Sequence, residues 1–235
     1  ACAGFDIKEL TAGARVMAGN AKSNNYNKNL AFFFAALQYL AYKKRKQNIS
    51  ILMPYDYYLN EVGFWFRQLW GESLANKHDL KKKLVNCGIT PIAALGPTDQ
   101  HSQIQLYIEG PYDKIITFIK VANISNNFKV PEYKNVEASY FAGHKFKDIL
   151  NIEHWATSVS LMENKRPNGT IILPYLDEYY LGQLFYFMEM AVYYLGEFLH
   201  INVFDQPGVE QSKNYMYGLL GKEGYEKYKE EIDSI

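Results

Sequence analysis

The chain has 235 residues, 48% of them apolar, with 25 basic side chains against 25 acidic ones. That is enough apolar material for one large core, since a domain of this size hides about 70–75% of its unfolded surface. The balanced charge argues against a nucleic-acid surface, which shows as a basic excess, but not against an anionic small molecule, because one phosphate needs only a few local donors.

Asp6 to Ala21 reads as a helix: Asp6 can cap it, Glu9 follows three residues on, and Leu10, Ala14 and Met17 share a face. Asn29 to Lys46 predicts a second, with Phe33, Leu37 and Leu40 inward and a basic end at Lys43, Lys44, Arg45 and Lys46. Cations in a last turn favour the macrodipole, so that run is a solvated C-terminus. Ile49 to Met53 is a short buried strand stopped by Pro54, and a helix follows from Tyr57 to about Glu72. Ile89 to Leu95 is the next strand, and Thr98 to Glu109 a helix capped by Thr98 or Asp99.

Lys114 to Val121 is a strand rich in β-branched residues. Residues 122–142 break the rhythm and predict an excursion or small hairpin. Helix over 143–165, strand over 170–173 and a long helix over 177–199 come next. Two helices close the chain, over about 208–220 and 224–232. The alternation of helices with short, continuously apolar strands signals a parallel sheet covered on both faces. The fold class is therefore α/β: a doubly wound, mostly parallel sheet flanked by helices.

Three stretches carry polar residues in positions where chemistry is possible. Gly96 to Gln103 leaves a strand and opens a helix, the place where open α/β sheets bind ligands. His101 falls in the first turn by this reading, where the helix dipole disfavours imidazolium; it either exchanges a proton with a ligand or holds the backbone. Gln68 and Glu72 are spaced i,i+4 on one helical face, with Leu69 and Trp70 turned toward the core. Glu72 is a general-base candidate or a solvated helix-end glutamate. Gln206-Pro207-Gly208 makes a tight entry into a helix, and Lys213 lies two turns on, able to reach back toward a ligand or simply to stand in water.

Several signals are missing. His78, His101, His144, His154 and His200 lack paired spacing with carboxylates or thiols, so no metal is expected, and His154 reads as structural. No Gly-x-Gly-x-x-Gly follows a strand and no Gly-x-Ser-x-Gly elbow occurs, so no cofactor is expected. Tyr193, Tyr194 and Phe198 read as core or interface. Cys2 and Cys87 make no disulfide framework, which favours a reducing, cytoplasmic setting. The greasiest stretch, 181–199, is interrupted by Gln183, Glu189 and Glu197, so no membrane span is expected.

Taken together the three stretches resemble the glucose-6-phosphate isomerase (phosphoglucose isomerase) family, its bacterial branch above all. The matching strings are Gln-Leu-Trp-Gly-Glu-Ser at 68–73, Gly-Pro-Thr-Asp-Gln-His-Ser-Gln-Ile-Gln-Leu at 96–106 and Phe-Asp-Gln-Pro-Gly-Val-Glu-Gln-Ser-Lys at 204–213. The resemblance implies a single sugar-isomerase domain over 1–235 with a helical segment from about 206 to 235, the C-terminal half of a longer enzyme. It implies that Glu72 moves a proton between C1 and C2 of an open-chain sugar phosphate, that His101 helps open the ring, that Lys213 assists near the ring oxygen and O1, and that Gln68 and Gln206 line the substrate pocket. Asn76, where the family often has glycine, and Val203, where proline is common, depart from the pattern without touching those groups.

The larger departure is a missing Ser/Thr-rich phosphate loop and a missing Gly-Gly-Arg; Arg15, Arg45, Arg67 and Arg166 stand in unlike contexts. The expectation is a chain that begins just downstream of that arginine, needs the N-terminal half as partner and turns over negligibly alone. Topology adds that His101 follows a strand whereas Glu72 ends a crossover helix, putting them on opposite sheet edges. That points to a homodimer in which His101 crosses the interface. A non-catalytic sugar-phosphate sensor on the same fold is the alternative.

Overall fold

The computed structural model describes residues 2–124, 128–132 and 137–235. Two helices, α1 (Ile7–Ala21) and α2 (Leu30–Arg45), precede strand β1 (Ile49–Pro54). Helix α3 (Asn60–Leu74), entered through a 3-10 turn at Tyr57–Leu59, leads to β2 (Asn76–His78), β3 (Leu84–Cys87) and β4 (Thr90–Ala93). Then come α4 (Gly96–Glu109), β5 (Lys114–Val121), α5 (Phe146–Glu163), β6 (Asn168–Leu173), α6 (Glu178–Leu199), α7 (Pro207–Leu219) and α8 (Glu226–Asp233).

Strands β4, β1, β5 and β6 form a sheet in that order, every pair parallel. Side chains alternate across it. Leu52, Ile119, Val121 and Leu173 join a core with Phe66, Trp70 and Met188 on the face covered by α1, α2, α3 and α6. Ile51, Met53, Ile116 and Phe118 join Tyr107 and Leu161 beneath α4 and α5. Both faces are thus buried, which is why these strands read as apolar runs.

The local signals explain most boundaries. Asp6 accepts hydrogen bonds from the N–H groups of Lys8 (2.9 Å) and Glu9 (3.2 Å), and Asn29 accepts one from Phe32 N–H, satisfying donors a helix start leaves free. Met17 is buried as expected and Leu10 is half-buried. The two outer helices meet through glycine. A Cβ on Gly13 would lie 1.8 Å from Tyr179 O, and one on Gly182 would lie 1.9 Å from Leu10 O. Only hydrogens let the backbones of α1 and α6 come so close.

Four expectations need correction. The inward stripe of α2 is Ala31, Ala35, Gln38 and Ala41, while Phe33, Leu37 and Leu40 are 45%, 44% and 48% exposed. Small residues let α2 approach the rest of the fold, and the bulky stripe is turned away. The fourth strand of the chain stops at Ala93 and α4 begins at Gly96, two residues before Thr98. A short antiparallel pair, β2 with β3, fills a stretch that carried no apolar pattern. The fifth helix starts at Phe146 rather than 143. The excursion read over 122–142 lies partly outside the described residues; within them, Lys129 bridges Lys145 antiparallel and Ser139–Phe141 form a 3-10 turn.

Gly182→Ala should destabilise the fold by about 1–3 kcal/mol, the usual cost of overpacking a tight contact. A urea unfolding curve with its midpoint unmoved would contradict this packing.

Candidate active site

Helix α3 fixes the direction of the site. Its Gly63 sits against Ala93 (3.3 Å for a built Cβ) and its Gly71 against Pro91 (3.6 Å), so the helix runs antiparallel to β4. Phe66, Trp70 and Leu74 anchor it; Trp70 is fully buried, with its ring 5.0 Å from that of Phe66. Gln68 and Glu72 stand on the solvent side, and Gln68 Nε2 donates to Glu72 Oε1 at 3.4 Å. The amide therefore steadies the carboxylate, as the i,i+4 spacing implied.

The third stretch comes to the same end of the sheet. After α6 returns from the carboxyl edge, Asn202 O accepts a hydrogen bond from Asn76 Nδ2 (3.2 Å), and His200 O accepts one from Leu80 N–H (2.8 Å). The residue four past Glu72 is thus tied to the residue four before Gln206. Gln206 caps α7 without a side-chain bond of its own, and Lys213 Nζ lies 3.4 Å from Glu210 Oε1, both side chains mostly exposed. That pair is a weak surface bridge, free to exchange for another anion.

His101 lies elsewhere. Helix α4 opens at the carboxyl edge, above the end of β1. A Cβ on Gly96 would fall 2.7 Å from the Tyr55 ring and 3.0 Å from Pro54 O, so the contact requires glycine. Tyr55 Oη donates to Gln100 Oε1 at 2.8 Å, holding the residue beside His101. Burial pushes the Tyr55 hydroxyl up to about 12, against a smaller opposing hydrogen bond with Thr157, so it stays a donor at neutral pH. Tyr55 therefore acts as a clamp on the first turns of α4.

Neither Thr98 nor Asp99 is the cap. Leu95 is the N-cap residue and makes no side-chain cap bond, but Asp99 Oδ2 reaches back to accept from Leu95 N–H at 2.6 Å. Asp99 Oδ1 also accepts from Ser102 Oγ at 2.8 Å. Partial burial opposes the charge of this carboxyl, yet the bonds from Leu95, Gln103 and Ser102 hold it below the usual aspartate range. His101 itself is in the second turn rather than the first, beyond the residues on which the end charge of the helix acts most. Its side chain is exposed.

Five residue steps separate Pro91, beside Gly71, from Gly96, which is about 16 Å of extended chain. Glu72, next to Gly71, therefore lies toward the amino edge of the sheet and α4, which carries His101, opens at the carboxyl edge. Among the described cavities, one of about 610 Å³ includes Gln68 in its lining; none is lined by Glu72, His101, Lys213 or Gln206. No three His, Cys, Asp or Glu side chains cluster as metal ligands among the described residues. In that set, too, no helix is long and apolar enough to cross a membrane.

Two buried groups are structural. His154 Nε2 lies 3.1 Å from Thr170 Oγ1, between the rings of Tyr55 and Phe118, and burial lowers its pKa, helped by Lys120. Arg166, invisible to motif reading, donates to the carbonyls of Ile108 and Gly110 (2.8 Å for the latter) and stacks 3.5 Å over Tyr112. It ties the entry of β6 to the end of α4.

A four-stranded parallel sheet covered by helices on both faces defines the class: a doubly wound α/β domain. Comparison with known proteins narrows it. The phosphoglucose isomerase family profile matches residues 2–223. The chain is 40% identical over 234 residues to the glucose-6-phosphate isomerase of Carboxydothermus hydrogenoformans, covering 99% of this chain and 50% of that protein. It is 37% identical over 227 residues to that of Rubrobacter xylanophilus, covering 96% of this chain and 50% of the relative. Among solved structures, a hypothetical protein of Thermus thermophilus superposes with a TM-score of 0.86 at 33% identity, covering 93% of this chain and 51% of the other. A glucose-6-phosphate isomerase from Chlamydia trachomatis shares the fold, with a TM-score of 0.79 at 21% identity over 91% of this chain and 42% of the other. The chain belongs to the phosphoglucose isomerase family, and it spans about half the length of the curated relatives it matches.

The Asp99 clamp is testable by pH. A carboxyl whose folded pKa is depressed contributes stability above its unfolded value, near 3.9, and loses it as pH falls through the folded value. The Leu95 amide resonance should therefore shift, and exchange faster, only below about pH 4. The same transition persisting in Asp99→Asn would rule out this carboxyl as its cause.

Proposed function

We propose that this chain is the base-carrying half of an aldose–ketose isomerase that interconverts glucose 6-phosphate and fructose 6-phosphate. The observation that carries the proposal is the Gln68–Glu72 pair on the exposed side of α3, tethered through Asn76 and Asn202 to the segment of Gln206 and Lys213, in a chain of this family. Glu72 takes the C2 proton of the opened aldose as O1 gains negative charge, giving a cis-enediolate. The O2 hydroxyl proton passes to O1, the C2 carbonyl forms, and the carboxylic acid returns its proton to C1, so protons and electrons balance without a redox partner. A carboxylate on the open side of a helix can sweep the short path between neighbouring carbons. Lys213 is the cation suited to stabilise the oxygen on which charge develops, and its loose pairing with Glu210 leaves it available. Gln68 and Gln206 orient hydroxyls.

The phosphate is held by the rest of a longer enzyme, whose length in the relatives is about twice that of this chain. His101, some 16 Å away along its own sheet, serves ring opening in a second subunit of a homodimer. Two-fold symmetry then makes both composite sites equivalent. The working compartment in this reading is the cytoplasm.

In the assembled enzyme Glu72→Gln should lower kcat by about 10²–10⁴-fold, the usual worth of a positioned base, with KM little changed. A coupled dehydrogenase assay reads this, and near-normal kcat would remove Glu72 from the mechanism. Mixing Glu72→Gln and His101→Ala subunits under exchange conditions should restore about a quarter of the wild-type rate, because half the dimers are mixed and each carries one intact site. A mixture as inactive as its components would rule out sharing across the interface.

A further inference from the structure

Three polar side chains of α4 are partly buried: Asp99, Gln100 and Gln103. Two of them are bonded close to home. Asp99 closes on Leu95 N–H and Ser102 Oγ, and Gln103 Oε1 accepts from Tyr107 Oη at 2.5 Å. Gln100 reaches off the helix. Among the described residues, the bond from Tyr55 Oη to Gln100 Oε1 is the one side-chain hydrogen bond joining the first turns of α4 to another element.

The donor of that bond is held from several sides. Tyr55 N–H donates to Ile119 O at 2.8 Å, which carries the β1–β5 pairing one residue past the strand. The ring, in a residue only 2% exposed, stands edge-on to Phe118 (5.6 Å) and His154 (5.1 Å). His154 Nε2 in turn lies 3.1 Å from Thr170 Oγ1 of β6. On its other side the ring meets Gly96, and its hydroxyl meets Gln100, one helical turn further on. Two contacts a turn apart fix the rotation of α4 about its axis as well as its seat. His101 follows Gln100 about 100° further round the helix, so the direction of its side chain is set by that rotation. The N-cap residue, Leu95, offers no side-chain bond that could do the same.

We propose that Tyr55 is a positioning residue for ring opening: its hydroxyl, through Gln100, sets the direction in which α4 presents His101 to the sugar. The inference rests on the reading of His101 as the ring-opening group, and extends it by naming a buried residue of another element on which that group depends. Tyr55 touches no substrate and moves no proton. It acts by keeping His101 in one geometry, and a proton-transfer group loses rate quickly when its geometry is loosened.

Tyr55→Phe keeps the ring, and with it the contacts to Gly96, Phe118 and His154, but removes the donor. In the assembled enzyme it should lower kcat about ten-fold, the usual effect of one lost hydrogen bond, with KM little changed. Gln100→Leu should match it, and the double variant should be no worse than either single change, because both cut the same bond. In a His101→Ala background Tyr55→Phe should be silent. In the 235-residue chain, Tyr55→Phe should speed amide exchange from His101 to Gln103 about ten-fold, with Leu52 and Phe118 unmoved. Should Tyr55→Phe fail to fold by circular dichroism, Gln100→Leu, at a half-buried position, carries the same tests. Unchanged kcat overturns the proposal and spares the proposed function. A loss that persists at full size without His101 overturns it too, since the hydroxyl then supports the fold alone. A parent enzyme without isomerase activity sinks the proposed function; faster exchange at His101 would still uphold its dependence on Tyr55, and unmoved exchange would end both.

Discussion

The β1–α3–β4 crossover governs this molecule. Because Gly63 lies on Ala93 and Gly71 on Pro91, α3 must run against the strands, and its C-terminal turn must end at the amino edge. The next connection, from β4 into α4, begins at the other edge. A carboxylate at the end of the first helix and a histidine at the start of the next are thereby held a sheet-width apart. No side-chain rotamer can undo a separation set by backbone direction.

Around that constraint the two edges are built differently. At the carboxyl edge the first turns of α4 are rigidly seated. Gly96 presses on Tyr55, Tyr55 holds Gln100, and Asp99 closes the helix start on Leu95. Away from it, Glu72, Gln206 and Lys213 are exposed, and Glu72 and Lys213 make long 3.4 Å contacts to Gln68 and Glu210.

Strand β6 is one edge of the sheet. Helices that cover a sheet bury their apolar stripes only where strands lie beneath them. Here Leu37 and Leu40 of α2 and Trp155 and Met162 of α5 stay exposed, while both amide atoms of Gln38 and Oε1 of Gln47 are buried without a hydrogen bond.

Much of this was legible in the sequence, because it depends on short-range chemistry. Asp6 and Asn29 announced their helices by offering oxygens to free N–H groups. The continuous apolar character of 49–53 and 114–121 announced a sheet buried on both faces, and i,i+4 spacing announced the Gln68–Glu72 pair. The three motif strings carried the family. What the sequence could not decide was orientation and contact. The bulky stripe of α2 looked like the buried one; only the packed structure shows that close approach selects Ala31, Ala35 and Ala41. The β2–β3 pair is short and largely exposed, so it leaves no periodicity to read. The start of α4 depends on Tyr55, about forty residues away, and the role of Arg166 depends on carbonyls more than fifty residues away. Local pattern names the elements and the reactive groups, but which groups share an edge follows from the direction in which each helix crosses the sheet.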